Sequence, residues 1–336
     1  MRRKSSVLFD GCLVLVSYLF LCVGITQADF GFRQAERLDP WINSLKDSAV
    51  GSISYDGLEL YSDTRQYTGN LWQLVVSTRE SIDQDWGPFT LLGSAFDGDT
   101  ASISADGLEL YFVSFSFAEG AFIGSSSRET TSDPWGSVVR LTQLGGGHGS
   151  PVVQTPSISA DGTELYFTIL NKSDGFGSQD IYVSRRETLD AAWGPPQNIG
   201  APVNTEYSEG CVGISSDGLA LFYSEHVNTS MAGSGIVNPS PSAIGGHDIW
   251  VSVRKGKDEP WGMPFNVGLA VNTSSMEYIP RVSPDGSTLY FVSTRPGATG
   301  SDDVFSAEIV PIVDFNYDGL VDIEDLLIIV DHWVLD

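Results

Sequence analysis

Short apolar runs broken by Asp-Gly recur through the middle of the chain at a regular spacing. The phrase Ser54-Tyr-Asp56-Gly57-Leu-Glu-Leu60-Tyr61 returns, with small changes, from Ser104, Ser159, Ser215 and Ser283, and its Asp steps by 50, 55, 56 and 68 residues. Asp-Gly is a turn dipeptide, because Gly accepts positive φ and Asp hydrogen-bonds its own backbone. Strand-like runs flank each turn, such as Ser52-Ile53-Ser54 before the first and Leu108 to Phe112 after the second. The run after the turn is apolar on both faces, with Leu108, Leu110 and Phe112 on one and Tyr111 on the other. Such a strand needs cover on both sides, as in a blade stacked between two blades.

A third strand is predicted around Leu71–Ser77, Ala121–Ile123, Asp180–Ser184, Asp248–Ser252 and Asp303–Ser306. Trp-Gly marks follow at Trp86, Trp135, Trp193 and Trp261, each leading to a short fourth strand such as Gln197–Gly200. Four strands in each 50-odd residues is the size of a propeller blade. The fold class expected is therefore all-β, a five-bladed propeller of four-stranded blades. Five turn phrases but only four Trp-Gly marks leave the last repeat, which stops near Ile309, without its outer strand. An orphan Asp39-Pro40-Trp41 precedes the first repeat, so residues around Phe32 to Leu45 are expected to supply that strand. Closure of this kind removes the free edge between first and last blades.

The turn phrase followed by Leu-Tyr-Phe and by Asp-Ile-Tyr resembles the WD-like propeller repeat of TolB and related exported proteins, over roughly residues 50 to 309. The resemblance implies the fold more than a function, since such repeats serve binding proteins, translocation components and peptidase accessory domains.

Before the repeats the chain opens Met1-Arg2-Arg3-Lys4, runs apolar from Cys12 to Ile25 and reaches Thr26-Gln27-Ala28. This reads as a secretory signal peptide over residues 1–28, with an apolar core too short to span a bilayer comfortably. A lipid anchor at Cys22 is the rival, against which Leu21 is a poor preceding residue. The expected localisation is secreted, extracellular or periplasmic. The remaining residues carry 15 basic and 42 acidic side chains, a formal charge of −27, which argues against nucleic acid and anionic membranes as partners. Cys211 is then the lone cysteine, so no intrachain disulfide is expected.

The repeated Asp56, Asp106, Asp161, Asp217 and Asp285 stand at equivalent turns far apart around a ring, whereas a glycosidase needs two carboxylates across one bond. Residues that break the repeat are better candidates for chemistry. Glu206 and Glu209 fall on the linker into repeat four, Glu277 and Arg281 on the linker into repeat five, and His148 on another linker. Glu225, His226 and His247 flank the loop between the second and third strands of repeat four, on the same face. If the protein is an enzyme, Glu209 and Glu277 are the catalytic candidates. Both stand eight residues before their repeat's Asp and follow Asn204-Thr205 and Asn272-Thr273, which suggests a repeated structural role instead. Residues 228–246 form an irregular insertion rich in Ser, Gly, Pro and Asn, either flexible or part of a binding rim.

The last stretch, residues 310–336, holds Asp314-Phe-Asn316-Tyr-Asp318-Gly319-Leu320-Val321-Asp322-Ile-Glu-Asp325. Oxygen side chains fall at positions 1, 3, 5, 9 and 12, Gly319 allows the sharp turn, and Leu320 offers a backbone carbonyl. This spacing wraps a hard cation, so the cofactor expected is Ca2+, held by Asp314, Asn316, Asp318, Leu320, Asp322 and Asp325. An acidic helix start is the other reading of Asp322 and Asp325. With Asp at position 12 and an apolar run after it, the loop resembles one dockerin repeat rather than a common EF-hand. A full dockerin has two loops; this chain shows one. The resemblance implies a cohesin-like partner for the tail.

The chain thus reads as a signal peptide (1–28), a propeller (29–309) and a calcium loop-helix (310–336). The function expected is that of an exported, non-catalytic binding module that takes a carbohydrate or protein ligand on its loop-rich face. The alternatives are a polysaccharide-degrading glycoside hydrolase and, less in keeping with the acidic tail, a TolB-like periplasmic component.

Overall fold

Each Ser-x-Asp-Gly phrase closes on itself before any strand pairing is needed. The Ser54 hydroxyl donates to Asp56 at 2.6 Å, and the Asp56 carboxylate accepts the Leu58 N–H at 3.0 Å. The same pair of bonds forms at Asp106, Asp161, Asp217 and Asp285. Gly57, Gly107, Gly162, Gly218 and Gly286 all take φ between 69° and 74°, a region in which a side chain would be strained.

A computed structural model describes residues 30–38, 42–44, 49–65, 71–116, 120–226, 243–296 and 302–311. The expected signal segment, Asp39-Pro40-Trp41, most of the 228–246 insertion and the whole of the expected calcium loop lie outside these residues. The chain divides into a unit Phe32–Val310 and a second unit, Met1–Gly31 with Pro311–Asp336. Among the described residues no helix is long and apolar enough to cross a membrane.

Ahead of the repeats lie β1 (Phe30–Phe32) and β2 (Glu36–Arg37). The first sheet is β3 (Ala49–Ile53), β4 (Glu59–Thr64), β5 (Gln73–Thr78) and β6 (Thr90–Leu91). The second is β7 (Gly98–Ile103), β8 (Glu109–Ser116), β9 (Gly120–Ser127) and β10 (Val139–Arg140). The third is β11 (Val153–Ile158), β12 (Glu164–Leu170), β13 (Gln179–Arg185) and β14 (Gln197–Asn198). The fourth is β15 (Glu209–Ile214), β16 (Ala220–His226), β17 (His247–Val253) and β18 (Phe265–Asn266). The fifth joins β19 (Glu277–Val282), β20 (Thr288–Ser293) and β21 (Asp303–Pro311) to β1 and β2. All pair antiparallel within a blade, and the architecture is a five-bladed propeller.

The N-terminal segment completes the last blade. Glu36 and Arg37 stand opposite Ser306 and Phe305, the Leu38 N–H donates to the Val304 carbonyl at 3.0 Å, and Arg37 pairs with Asp303 at 2.6 Å. Asn43 then brackets Val304, accepting its N–H at 2.7 Å and donating to its carbonyl at 3.2 Å. Asn204 brackets Ile181 and Asn272 brackets Ile249 in the same way, so this amide locks each of three linkers to the preceding blade. Asn272 is fully buried, and Asn272→Ala strands the Ile249 N–H. We expect it to lower the unfolding free energy by about 2 kcal/mol in urea titration.

Between blades the sequence builds one recurring clamp. Arg79, Arg128, Arg186 and Arg254 each stack on the Trp seven residues later, the guanidinium 4.2–4.6 Å from the ring centre. Each also donates through Nε to the carbonyl of its blade's turn Gly. Three of them reach the previous blade: Arg128 to Glu59, Arg186 to Glu109 and Arg254 to Glu164. Those glutamates in turn accept from Tyr61, Tyr111 and Tyr166, whose rings meet the next blade's Trp edge-on. A cation over an aromatic face and a charged hydrogen bond thus share one guanidinium.

Inner strands are bulged against their neighbours. The register slips between Asp99 and Ser102, Gln154 and Ser157, Gly210 and Gly213, and Tyr278 and Arg281. Thr100, Thr155, Cys211 and Ile279 take φ of 49–54° at these bulges, a costly conformation for non-glycine residues.

Candidate functional site

The starts of the inner strands, the ends of the second and the starts of the third share one face of the wheel. On it Glu209 lies opposite Glu225, and Glu225 opposite Asp248. Glu209 and Glu277 are the first residues of β15 and β19, and both side chains are 0 % exposed. Each folds back on its own linker: Glu209 accepts from the Thr205 hydroxyl and, at 3.1 Å, from the Thr205 N–H. Glu277 accepts from the Thr273 N–H and hydroxyl, both at 2.8 Å, and from Ser293 and Arg295 at 2.7 and 3.4 Å. The two carboxylates therefore occupy equivalent places in neighbouring blades and serve the same linker motif.

Their electrostatics differ because their neighbours differ. Burial pushes the Glu209 carboxyl up to about 8, the Thr205 bonds oppose this, and the Asp180 and Glu225 charges add to it. Where blade four places Glu225 opposite Glu209, blade five places Ser293 opposite Glu277 and adds Arg295.

The other sequence candidates spread out. Glu206 and His148 are exposed on linkers, and the side chain of His226 lies outside the described residues. His247, at the head of β17, is half-buried with its ring edge-on to Tyr278 at 6.1 Å, and burial lowers its pKa. Phe176, 57 % exposed, adds an apolar surface to the loop before β13. No group of three or more His, Cys, Asp or Glu side chains could hold a metal ion among the described residues.

Arg281 departs from the sequence reading. It lies within β19 rather than on the linker, because that inner strand already starts at Glu277. Counting four back from each turn Asp gives Ser52, Ser102, Ser157, Gly213 and Arg281. The first three hydroxyls accept the N–H of Ile103, Ile158 and Ile214 on the next blade, at 3.0–3.1 Å. At the fifth place the guanidinium spans both neighbours: Nε donates to the Gly51 carbonyl and Nη1 to the Val212 carbonyl, at 2.5 and 2.6 Å. Arg281 is 6 % exposed, and burial brings its pKa down to about 10 against the opposing charges of Cys211 and Asp63.

Other polar groups gather near it. Burial and then the Asp99 charge raise the pKa of Asp63, although the Thr100 N–H donates to it at 3.2 Å. Burial raises Asp99 to about 6. Cys211 is a free, buried thiol in β15 whose pKa burial raises. Of these only Cys211 stood out in the sequence; Asp63 and Asp99 fall within strands where nothing in the alternation marks a buried carboxyl.

At the turn end the axis opens into a funnel. The second residues of the turn phrases, Tyr55, Ala105, Ala160, Ser216 and Pro284, ring its mouth, and Ser52, Ser102, Ser157 and Arg281 lie deeper.

No protein family model matches the chain, and no curated protein is similar to it. Among solved structures, TolB from Acinetobacter baumannii superposes with a TM-score of 0.50 at 13% identity, over 92% of this chain and 71% of that one. A thermostable family-43 glycoside hydrolase gives 0.46 at 15% identity, covering 88% of this chain and 92% of its own. The α-L-arabinofuranosidase of Podospora anserina in complex with cellotriose gives 0.47 at 12%, over 85% and 98%. The TolB likeness is one of fold.

Proposed function

We propose that this protein is an exported, non-catalytic propeller that binds a carbohydrate or protein ligand on its linker face. In this reading the C-terminal loop takes Ca2+ and serves as a docking or stabilising element. One observation carries the non-catalytic reading: Glu209 and Glu277 have no exposed surface to offer a substrate, and their oxygens are engaged by their own linkers. A glycosidase needs two carboxyl groups facing a shared space wide enough for a sugar. Exposed Glu206 and Phe176 leave the same face both polar and apolar surface for a ligand.

A polysaccharide panel tests it. The wild type is expected to release no reducing ends while retaining one or more ligands on an affinity gel. Turnover that disappears with Glu209→Gln or Glu277→Gln would establish the hydrolase instead.

The calcium reading rests on the donor spacing from Asp314 to Asp325. Calorimetric titration of the full chain is expected to show one site with a Kd on the order of 10⁻⁴ M, as extracellular loops have. The heat should vanish in the Asp314→Ala/Asp318→Ala double variant; identical heats from both proteins would remove the metal site.

A further inference from the structure

We propose that the turn-end funnel is a carboxylate-binding site, with the Arg281 guanidinium and the hydroxyls of Ser52, Ser102 and Ser157 as its donors. It lies at the end of the wheel opposite the linker face and stands apart from the reading given for that face.

The argument is a count of donors and acceptors. Nε and Nη1 of Arg281 are used by the Gly51, Val212 and Pro280 carbonyls, but Nη2 is buried and makes no hydrogen bond. The three serine oxygens each accept a backbone N–H from the next blade, which leaves each hydroxyl proton without a protein acceptor. Among the described residues, four donors thus line one small space with no protein acceptor to receive them, and Arg281 is the single charged residue of that lining. Buried donors left unpaired are costly, and a buried cation more so.

A purely mechanical role accounts for only part of this. Joining adjacent inner strands takes no charge, since serine does it three times in the same ring. Arginine at the fifth place adds one unengaged nitrogen, Nη2, and a charge that meets no carboxylate within ion-pair distance among the described residues. Gly213, the fourth member, lets the Pro280 carbonyl approach, because a Cβ there would stand 2.4 Å from its oxygen, which in turn accepts from Nη1.

The size fits a small acid. The funnel holds about 80 Å³, enough for a carboxylate and a short carbon chain. Alanines 105 and 160 keep the mouth open, and Tyr55, 56 % exposed, offers a ring beside it.

The probe is sodium acetate against sodium chloride at equal ionic strength, read as the melting midpoint of the full chain and by saturation-transfer NMR of the acetate methyl. Acetate is expected to raise the midpoint with saturation in the millimolar range, while chloride does not. Ala105→Trp/Ala160→Trp, which fills the mouth and leaves Arg281 in place, should weaken the effect at least tenfold; Arg281→Met should abolish it. A tripeptide with a free C-terminal carboxylate, compared with its amide, separates the two sources of the group. Tighter binding than acetate assigns a peptide end, and equal binding a free small acid. Equal responses to acetate and chloride, or an acetate effect that survives the double tryptophan variant, would overturn the site.

Discussion

Arg254→Ala is expected to cost about 3–5 kcal/mol of unfolding free energy, the range for breaking a buried ion pair from one side. The change removes bonds to the Gly218 and Lys257 carbonyls, the stack on Trp261 and the partner of Glu164. Burial alone would raise the Glu164 pKa; the bond and charge of Arg254, with help from Arg185 and Tyr166, bring it below the ordinary range instead. Without Arg254, a carboxylate only 8 % exposed keeps just one cationic partner, Arg185. Arg79→Ala is the internal comparison. Arg79 makes the same stack and the same bond to its turn Gly, but the facing position in blade five is Thr288, so no carboxylate is orphaned. About 1–2 kcal/mol is expected there. Equal losses in the two variants by guanidinium denaturation would show that the inter-blade carboxylate contributes nothing.

Glu209→Gln should change the pH dependence of stability more than stability itself. The folded carboxyl titrates near 8 and its ordinary value is 4.5, so between those limits the folded state holds a proton that the unfolded state has released. Stability must then fall as pH rises through this window, by about 5 kcal/mol in all, and level off above it. Glutamine imitates the protonated acid: its oxygen accepts the Thr205 N–H and its amide donates to the Thr205 hydroxyl. The variant's melting curve should therefore lack this fall and lie above that of the wild type beyond pH 8. Parallel pH profiles for the two proteins would mean that Glu209 is ionised in place.

Much of the wheel was readable before any coordinates. The five Asp-Gly turns mark five blades because the dipeptide's own chemistry closes the hairpin, whatever surrounds it. The missing fifth Trp-Gly pointed to the N-terminal segment, and Arg37, Leu38 and Asn43 do attach to β21. The clamp went unread, although the sequence carries its signal: Arg stands seven before each of Trp86, Trp135, Trp193 and Trp261. Burial was harder. Glu209 and Glu277 read as loop carboxylates, and only the fold of their linkers shows each one turned inward onto its threonine. Arg281 was misplaced because the inner strand starts earlier than its apolar run suggests, at Glu277, and the bulge between Tyr278 and Arg281 interrupts the alternation that would have marked it.

Because Glu36 and Ser306 are partners, the wheel is sealed by residues nearly a whole chain length apart. Joining them confines the longest loop in the molecule, an entropic cost that local turns never meet. Blades can therefore mature one after another along the growing chain, yet the closing seam must wait for the final hairpin. Until then the outer edge of β21 is bare, and a neighbouring molecule's early segment could occupy it. High local concentration of unfinished chains is the condition under which that exchange would compete with closure.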